Sequence, residues 1–348
     1  MQSVLHQVLG PQEIHPENLA GRVAVVTGGA LGIGYEVSRA LAIGGCKVVM
    51  VNRKQEQGKS AIENIKNESP GADIDWKECD LGNLSQVKSV FSGLRESLDR
   101  LDYLVLSAGF NANQYSLDSD GIERIFGVNY LGQYYVTNQV WPLLRKTSIM
   151  PGVTGPRVVT LSSELHRMSP SNLNFGGLSD INDTNIDPTQ LYARTKLALI
   201  LFIKYGLLER VINPNKDNIY ALAVHPGAVR KKAHVLCKAA NVYRQVNTAM
   251  QNQWKDAYPG ITGQLISYAM QFISRDPEQG SYSTLWALTA PEVEEKHMNG
   301  AYFIDPDKQA EPSAQASDPS LGADLWRLSE KLVKEKLGDD ALVDWNEK

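Results

Sequence analysis

Tyr192-Ala193-Arg194-Thr195-Lys196 places a phenol and an ammonium four residues apart, a spacing that puts both side chains on one face of a helix. Tyrosine near pKa 10 is a poor acid at neutral pH, and a neighbouring cation lowers that value by favouring the phenolate. Such a pair can pass a proton to or from an oxygen of a bound molecule. Chance alone gives about one Tyr-x-x-x-Lys in a chain of this composition. Of the 14 tyrosines only Tyr192 has a lysine at that offset. A second chemical stretch is Thr27-Gly28-Gly29-Ala30-Leu31-Gly32-Ile33-Gly34, which follows an apolar run and precedes a helical pattern. Glycines let a backbone turn tightly and approach phosphate oxygens, and the N–H groups and dipole at a helix start favour negative charge. Without that context the three spaced glycines could be a simple turn after a buried strand.

The elements that must hold these groups read as alternating strand and helix. Apolar runs at Val23 to Thr27, Lys47 to Val51, Tyr103 to Leu106, Val158 to Leu161, Tyr220 to Val224 and Tyr302 to Ile304 suit buried parallel strands. Helical periodicity lies between them, as in Tyr35 to Ile43, Leu84 to Leu98 and Leu131 to Leu144. This order predicts an α/β fold, a Rossmann-type doubly wound parallel sheet flanked by helices in a single domain. Its ligand crevice belongs beyond the carboxyl ends of the strands, where strand order reverses. Met150 to Pro156 and Glu311 to Gly322 read as loops. The domain is expected over residues 21–310, with an N-terminal extension at 1–20 and a C-terminal tail containing a helix at 311–348.

TGxxxGxG after a first strand, joined to the Tyr192/Lys196 pair, resembles the short-chain dehydrogenase/reductase family. The resemblance runs from about Gly21 to Ile304. It implies coenzyme contacts from Thr27, Gly28, Leu31, Gly32, Ile33 and Gly34, and from Tyr192 and Lys196. Asp80-Leu81 after the third strand resembles the family's adenine-contacting pair, and Ser107-Ala108-Gly109 resembles its Asn-Ala-Gly, with Ser in place of Asn. Asp80 also suits a helix cap, and Ala108-Gly109 a strand-end turn. The family's catalytic serine corresponds to Ser163, with Ser162 as the fallback, and its helix asparagine corresponds to Asn129, which could equally cap a helix. The implied chemistry is hydride transfer between nicotinamide and a carbinol carbon, with Tyr192 giving or taking the proton and no metal required. Ser-Ser-Glu-Leu-His, Asn-Arg-Lys and His225-Pro226-Gly227 look most like the retinol-dehydrogenase and WW-domain-oxidoreductase branch, especially its fungal members, here without WW domains. His166 reads as a loop or pocket-wall residue.

Coenzyme choice turns on Val51-Asn52-Arg53-Lys54. An acid there would suit the ribose 2′-hydroxyl of NAD, whereas guanidinium suits the 2′-phosphate of NADP. Asn52, Arg53 and Lys54 therefore favour NADP(H), unless the two cations merely solvate the next helix. Beyond Pro226-Gly227 the chain departs from the family. A threonine should follow closely to bond the nicotinamide amide, but Val229 runs into Arg230-Lys231-Lys232, and Thr248 is the nearest candidate. The span Val229 to Gln245 holds five Lys/Arg and no acid, so removing it takes the net charge from −4 to −9. It reads as a solvated basic loop, as a phosphate- or membrane-contacting loop, or as translated intron, since Val-Arg can be written GTA AGA and Gln as CAG. Met250, Trp254 and Tyr258 could line an apolar pocket or pack a helix.

Composition limits the remaining options. The chain has 348 residues, 43% hydrophobic and 21% charged, enough apolar material for a large core and too little net charge for disorder. A net charge of −4 gives no case for nucleic-acid binding. Cys46, Cys79 and Cys237 lack paired spacing, which fits a reducing compartment, and no leader is evident in the first twenty residues, so a cytoplasmic location is expected. The longest apolar run, Leu197 to Leu208, carries Lys204 and is shorter than the roughly 20 residues a membrane span needs. A small-molecule carbonyl or alcohol is the expected partner, with a homo-oligomer possible. The reading from another class is a non-catalytic NADP(H)-binding regulator.

Overall fold

The computed structural model describes residues 11–111, 114–227 and 275–347. β1 (Val23–Thr27) is a β-branched run buried along its whole length, as a strand covered on both faces requires. It is joined by β2 (Lys47–Asn52), β3 (Ile74–Glu78), β4 (Tyr103–Leu106), β5 (Arg157–Leu161), β6 (Tyr220–Val224), β7 (Tyr302–Asp305) and the short β8 (Lys308–Gln309). The sheet order is β3-β2-β1-β4-β5-β6-β7-β8, parallel throughout except where β8 returns antiparallel along β7. Order reverses between β1 and β4, so the crevice opens above their carboxyl ends.

Helices cover both faces: α1 (Gly32–Ile43), α2 (Gln55–Glu68), α3 (Leu84–Ser97), α4 (Gly132–Ser148), α5 (Pro188–Leu201), α6 (Pro277–Thr289) and α7 (Pro319–Leu337). Alternation along β1 divides the core, with Val25 in one cluster and Ala24 and Val26 in the other. Asp187 starts α5 by accepting from Thr189 N at 2.9 Å, with Pro188 at the first helical position. That cap sets the rotation of the helix bearing Tyr192 and Lys196.

The third strand, implied before Asp80, is present as Ile74–Glu78; it carries no apolar run because it forms the sheet edge, with Ile74 buried and Asp75 and Lys77 exposed. One expectation needs correction. Glu311 to Gly322 is not loop throughout. Asp318 accepts from Ser320 N at 2.8 Å, Pro319 fills the first helical position, and α7 is already under way at Gly322. The segment after α7 folds back over α4: Trp345 meets Trp141, Tyr134 and Trp326 at ring separations of 5.6, 5.7 and 5.1 Å. Arg145 pairs with Asp217 at 2.6 Å and donates to the Trp345 carbonyl at 2.8 Å, closing that face. No helix among the described residues is long and apolar enough to cross a membrane.

Candidate active site

The glycine loop leaves β1 in a conformation that side chains would obstruct. Gly28 has φ +67°, and a Cβ there would stand 2.7 Å from the Ala108 Cα. Gly32 has φ +58°, a backbone conformation that side chains rarely adopt, and no atom lies within 4 Å of the place its Cβ would take. Leu31, the residue before α1, makes no side-chain cap, and the first turn of α1 carries no acid. This is the arrangement a diphosphate fits. Gly34 lies buried in the first turn of α1, and Ile33 is half-buried beside it. Thr27 ties the loop to β4: its Oγ1 accepts from Ser107 N at 3.1 Å and Ala108 N at 3.2 Å, and donates toward Gln133 Oε1 at 3.1 Å. Ser107, standing where the family pattern has Asn, donates its hydroxyl to the Thr27 carbonyl at 2.5 Å.

A cavity of about 290 Å³ extends from this loop, with Gly28, Leu31, Asn52, Arg53, Asp80, Leu81, Ser107, Ala108 and Gly109 among its lining. Asp80 is its electrostatic centre. One oxygen accepts from Gly82 N at 3.0 Å; the other lies 3.1 Å from Arg124 and 3.6 Å from Arg53. Burial works to raise the Asp80 pKa, but these hydrogen bonds and both guanidiniums outweigh it and hold the carboxyl below its usual range. Arg53 is 56% exposed at the mouth of the cavity. Asn52 bonds the Lys54 carbonyl at 3.0 Å, and Lys54 lies exposed just before α2. Arg124 and Phe110 also line the cavity and were not singled out from the sequence, which offers no motif for either.

At the opposite end of the crevice the charged group is buried. Lys196 is 6% exposed, lies 5.3 Å from the Tyr192 ring centroid and donates to the Leu161 carbonyl at 2.7 Å. Burial lowers the Lys196 pKa to about 8 and raises that of half-buried Tyr192 above the ordinary phenol value. The expected lowering of the tyrosine by its lysine is absent: burial alone moves the phenol, and it moves it upward. Ser162 and Ser163 separate cleanly. Ser162 is buried and donates to the Lys196 carbonyl at 2.8 Å, a bond that pins β5 to α5. Ser163 accepts from Leu165 N at 3.2 Å through its hydroxyl oxygen, which leaves the hydroxyl hydrogen for another acceptor.

Asn129 does not cap a helix. It sits in a π-helical stretch, Gly127–Leu131, that runs without a break into α4, a distortion found often at functional sites. Its Oδ1 accepts from Phe110 N at 2.9 Å, and its Nδ2 donates to the Phe110 carbonyl at 2.9 Å and to Thr195 Oγ1 at 3.3 Å. Thr195 in turn donates to the Tyr192 carbonyl at 2.8 Å. The structure thus joins Asn129, Tyr192, Lys196 and the Ser162-Ser163 strand end through one set of contacts. His166 is not a loop residue but a fully buried member of the 3-10 turn Glu164–Met168. Pro226 and Gly227 are buried after β6, with Arg275 lying against Gly227 and paired with Asp305. Val229, Thr248, the 229–245 segment, Cys237, Met250, Trp254 and Tyr258 lie outside the described residues.

The short chain dehydrogenase family model matches residues 22–173. A short chain dehydrogenase/reductase of Colletotrichum higginsianum is 31% identical over 331 residues, which span 91% of this chain and 76% of that protein. A WW domain-containing oxidoreductase of Gallus gallus is 29% identical over 326 residues, 92% of this chain and 70% of that one. The crystal structure of an uncharacterised protein from Mycobacterium paratuberculosis superimposes with a TM-score of 0.64 at 25% identity, covering 92% of this chain and 97% of the other.

Proposed function

The chain belongs to the short-chain dehydrogenase/reductase family, an oxidoreductase family, and from that premise we propose that it is an NADP(H)-dependent enzyme interconverting a carbonyl and an alcohol on a small, apolar substrate. The observation that carries the reading is the contact between two halves of the constellation: Lys196 beside Tyr192 on α5, bonded to Leu161 at the end of the strand that delivers Ser163. The glycine loop and Asp80 would hold the adenosine diphosphate, Arg53 and Lys54 the 2′-phosphate, and Tyr192, Lys196 and Pro226-Gly227 the nicotinamide end. When bound, the coenzyme supplies or accepts a hydride at the substrate carbon.

The remaining steps belong to the chain. In reduction Ser163 donates its hydroxyl hydrogen to the carbonyl oxygen, and Tyr192 delivers the proton that completes the alcohol. Burial keeps that phenol protonated, which is the form reduction needs. Asn129 fixes Thr195 and hence the backbone between Tyr192 and Lys196. Buried, unpaired Cys46 and Cys79 support a reducing compartment, for which we propose the cytoplasm. The test is a panel of aldehydes and ketones followed by loss of NADPH absorbance, with NADH in parallel. Turnover with NADPH preferred supports the reading; equal use of NADH removes the coenzyme assignment. Tight NADPH binding without turnover of any carbonyl would favour a regulator instead.

A further inference from the structure

The turn that carries Ser163 is held by a histidine the proposed chemistry does not use. Ser163 begins the 3-10 turn Glu164–Met168, and its carbonyl accepts twice from one residue, at 3.0 Å from the His166 backbone N–H and at 2.6 Å from His166 Nδ1. The other ring nitrogen, Nε2, lies 3.0 Å from the backbone N of Ser313, a group that can only donate. Nε2 must therefore accept, and the ring proton sits on Nδ1, facing Ser163. A second ring proton would set two donors against each other. The side chain is fully buried, and that burial lowers its pKa, which favours the same neutral form.

Both ends of this link are anchored. Ser313 belongs to a segment stitched to the turn by Arg167 on the Glu311 carbonyl at 2.7 Å and by Gln315 on the Pro170 carbonyl at 2.7 Å. The Tyr302 ring stands edge-on to the imidazole at 5.4 Å, and its hydroxyl donates to Glu164 at 2.9 Å. The charged or titratable groups around the ring among the described residues are Tyr302, Glu164, Arg167 and His225.

We propose that His166 is a positioning residue for the active-site serine: a neutral strut between the Ser163 carbonyl and Ser313 that fixes where the Ser163 hydroxyl points. Because that hydroxyl already accepts from Leu165 N in the same turn, the orientation of its hydrogen follows the turn. A displacement of about 1 Å in such a group can cost on the order of 100-fold in rate. The proposal rests on the reductase reading for its kinetic consequence, but not for its geometry.

Side-chain ¹⁵N NMR of the histidines, with the His166 signal assigned by its loss in His166→Gln, tests the geometry without a substrate. The expected signature is a neutral imidazole protonated on Nδ1 at pH 7. A ring protonated on Nε2, or charged, overturns the proposal. With any carbonyl the parent reduces, His166→Asn keeps an N–H donor near the Nδ1 position and should retain turnover within about threefold. His166→Gln and His166→Ala should lower kcat by about 10- to 100-fold, with NADPH Kd unchanged and substrate KM little moved. Equal losses in the Asn and Gln variants that follow their thermal stability would overturn it. Should the parent reduce no carbonyl, the reductase reading fails while the tautomer still decides the strut; if His166→Gln does not fold, loss of the signal in His166→Asn makes the same assignment.

Discussion

The two ends of the crevice use electrostatics in opposite ways. At the adenosine end, Arg53 and Arg124 converge on Asp80 in partial contact with water, and the charges are held by one another until a ligand competes for them. At the other end Lys196 is buried and Tyr192 half-buried, and burial rather than pairing shifts both groups. Partly exposed pairs are screened and individually weak, so under the proposed function the first end would tune which coenzyme binds at little cost to stability. A desolvated ammonium destabilises the fold, so the second end holds its reactive groups at the expense of stability. Selectivity and chemistry should therefore be separable by mutation.

The sharpest separation is expected from Tyr192→Phe. It removes the transferable proton and leaves every contact of the glycine loop, so kcat should fall by about 10²- to 10⁴-fold while NADPH affinity is unchanged. Stopped-flow turnover and NADPH titration together check this, and near-normal turnover would exclude Tyr192 as the acid. Lys196→Met should also abolish most turnover, yet it removes a charge that the fold holds at a cost. The Lys196 pKa of about 8 lies below the ordinary lysine value of 10.5, so the unfolded chain binds more protons between those two values. This group's penalty is full below pH 8 and disappears as pH rises to 10.5. Against a lost bond to the Leu161 carbonyl, the coenzyme-free variant should be unchanged or about 1–2 kcal/mol more stable at pH 7. That difference should move toward destabilisation by pH 10, which denaturant melts at the two pH values would show.

How far each end was legible follows from the same contrast. The glycine loop is legible because its constraints are local: Gly28 meets Ala108 too closely for a side chain, and such a position announces itself in three or four consecutive residues. The order of β1, β2 and β4–β6 was equally plain, since buried parallel strands are continuous apolar runs. Ile74–Glu78 escaped delineation because an edge strand exposes half its residues. Tyr192 and Lys196 were found by spacing, but the direction of the tyrosine's pKa was not, because burial is a property of the packed site and not of the pair. Asn129 was identified while its π-helical setting was not; a one-residue register change in a helix leaves no periodic signature. The link from His166 to Ser313 joins residues 147 apart in sequence, beyond any spacing rule. Asp318-Pro319 did carry a helix-start signal, obscured by the Ser, Ala and Pro around it.

A smaller effect, confined to the exposed end, is expected from Arg53→Asp. The variant places a carboxylate where a 2′-phosphate would lie and should invert the NADPH over NADH preference by about 10- to 100-fold while leaving kcat with the favoured coenzyme within a few fold. Ionic strength should expose the same asymmetry. The parent's NADPH affinity should weaken as salt rises from 50 to 500 mM, an effect of about threefold to tenfold, while kcat stays level because the buried pair is screened far less. A kcat that falls in step with affinity would mean the two ends are not independent.

The smallest effect is expected where the two ends join. Ser107 donates to the Thr27 carbonyl at 2.5 Å, and its backbone N–H donates to Thr27 Oγ1 at 3.1 Å, so it links β4 to the glycine loop on the coenzyme side of the crevice. Ser107→Ala removes the first bond and keeps the second, leaving one carbonyl lone pair short of a donor at a cost of about 1 kcal/mol. If the loop absorbs that cost by loosening, NADPH Kd should rise by about threefold to fivefold with kcat unchanged. A change in kcat with Kd constant would instead place Ser107 with the catalytic end, and the boundary between selectivity and chemistry would have to move past β4.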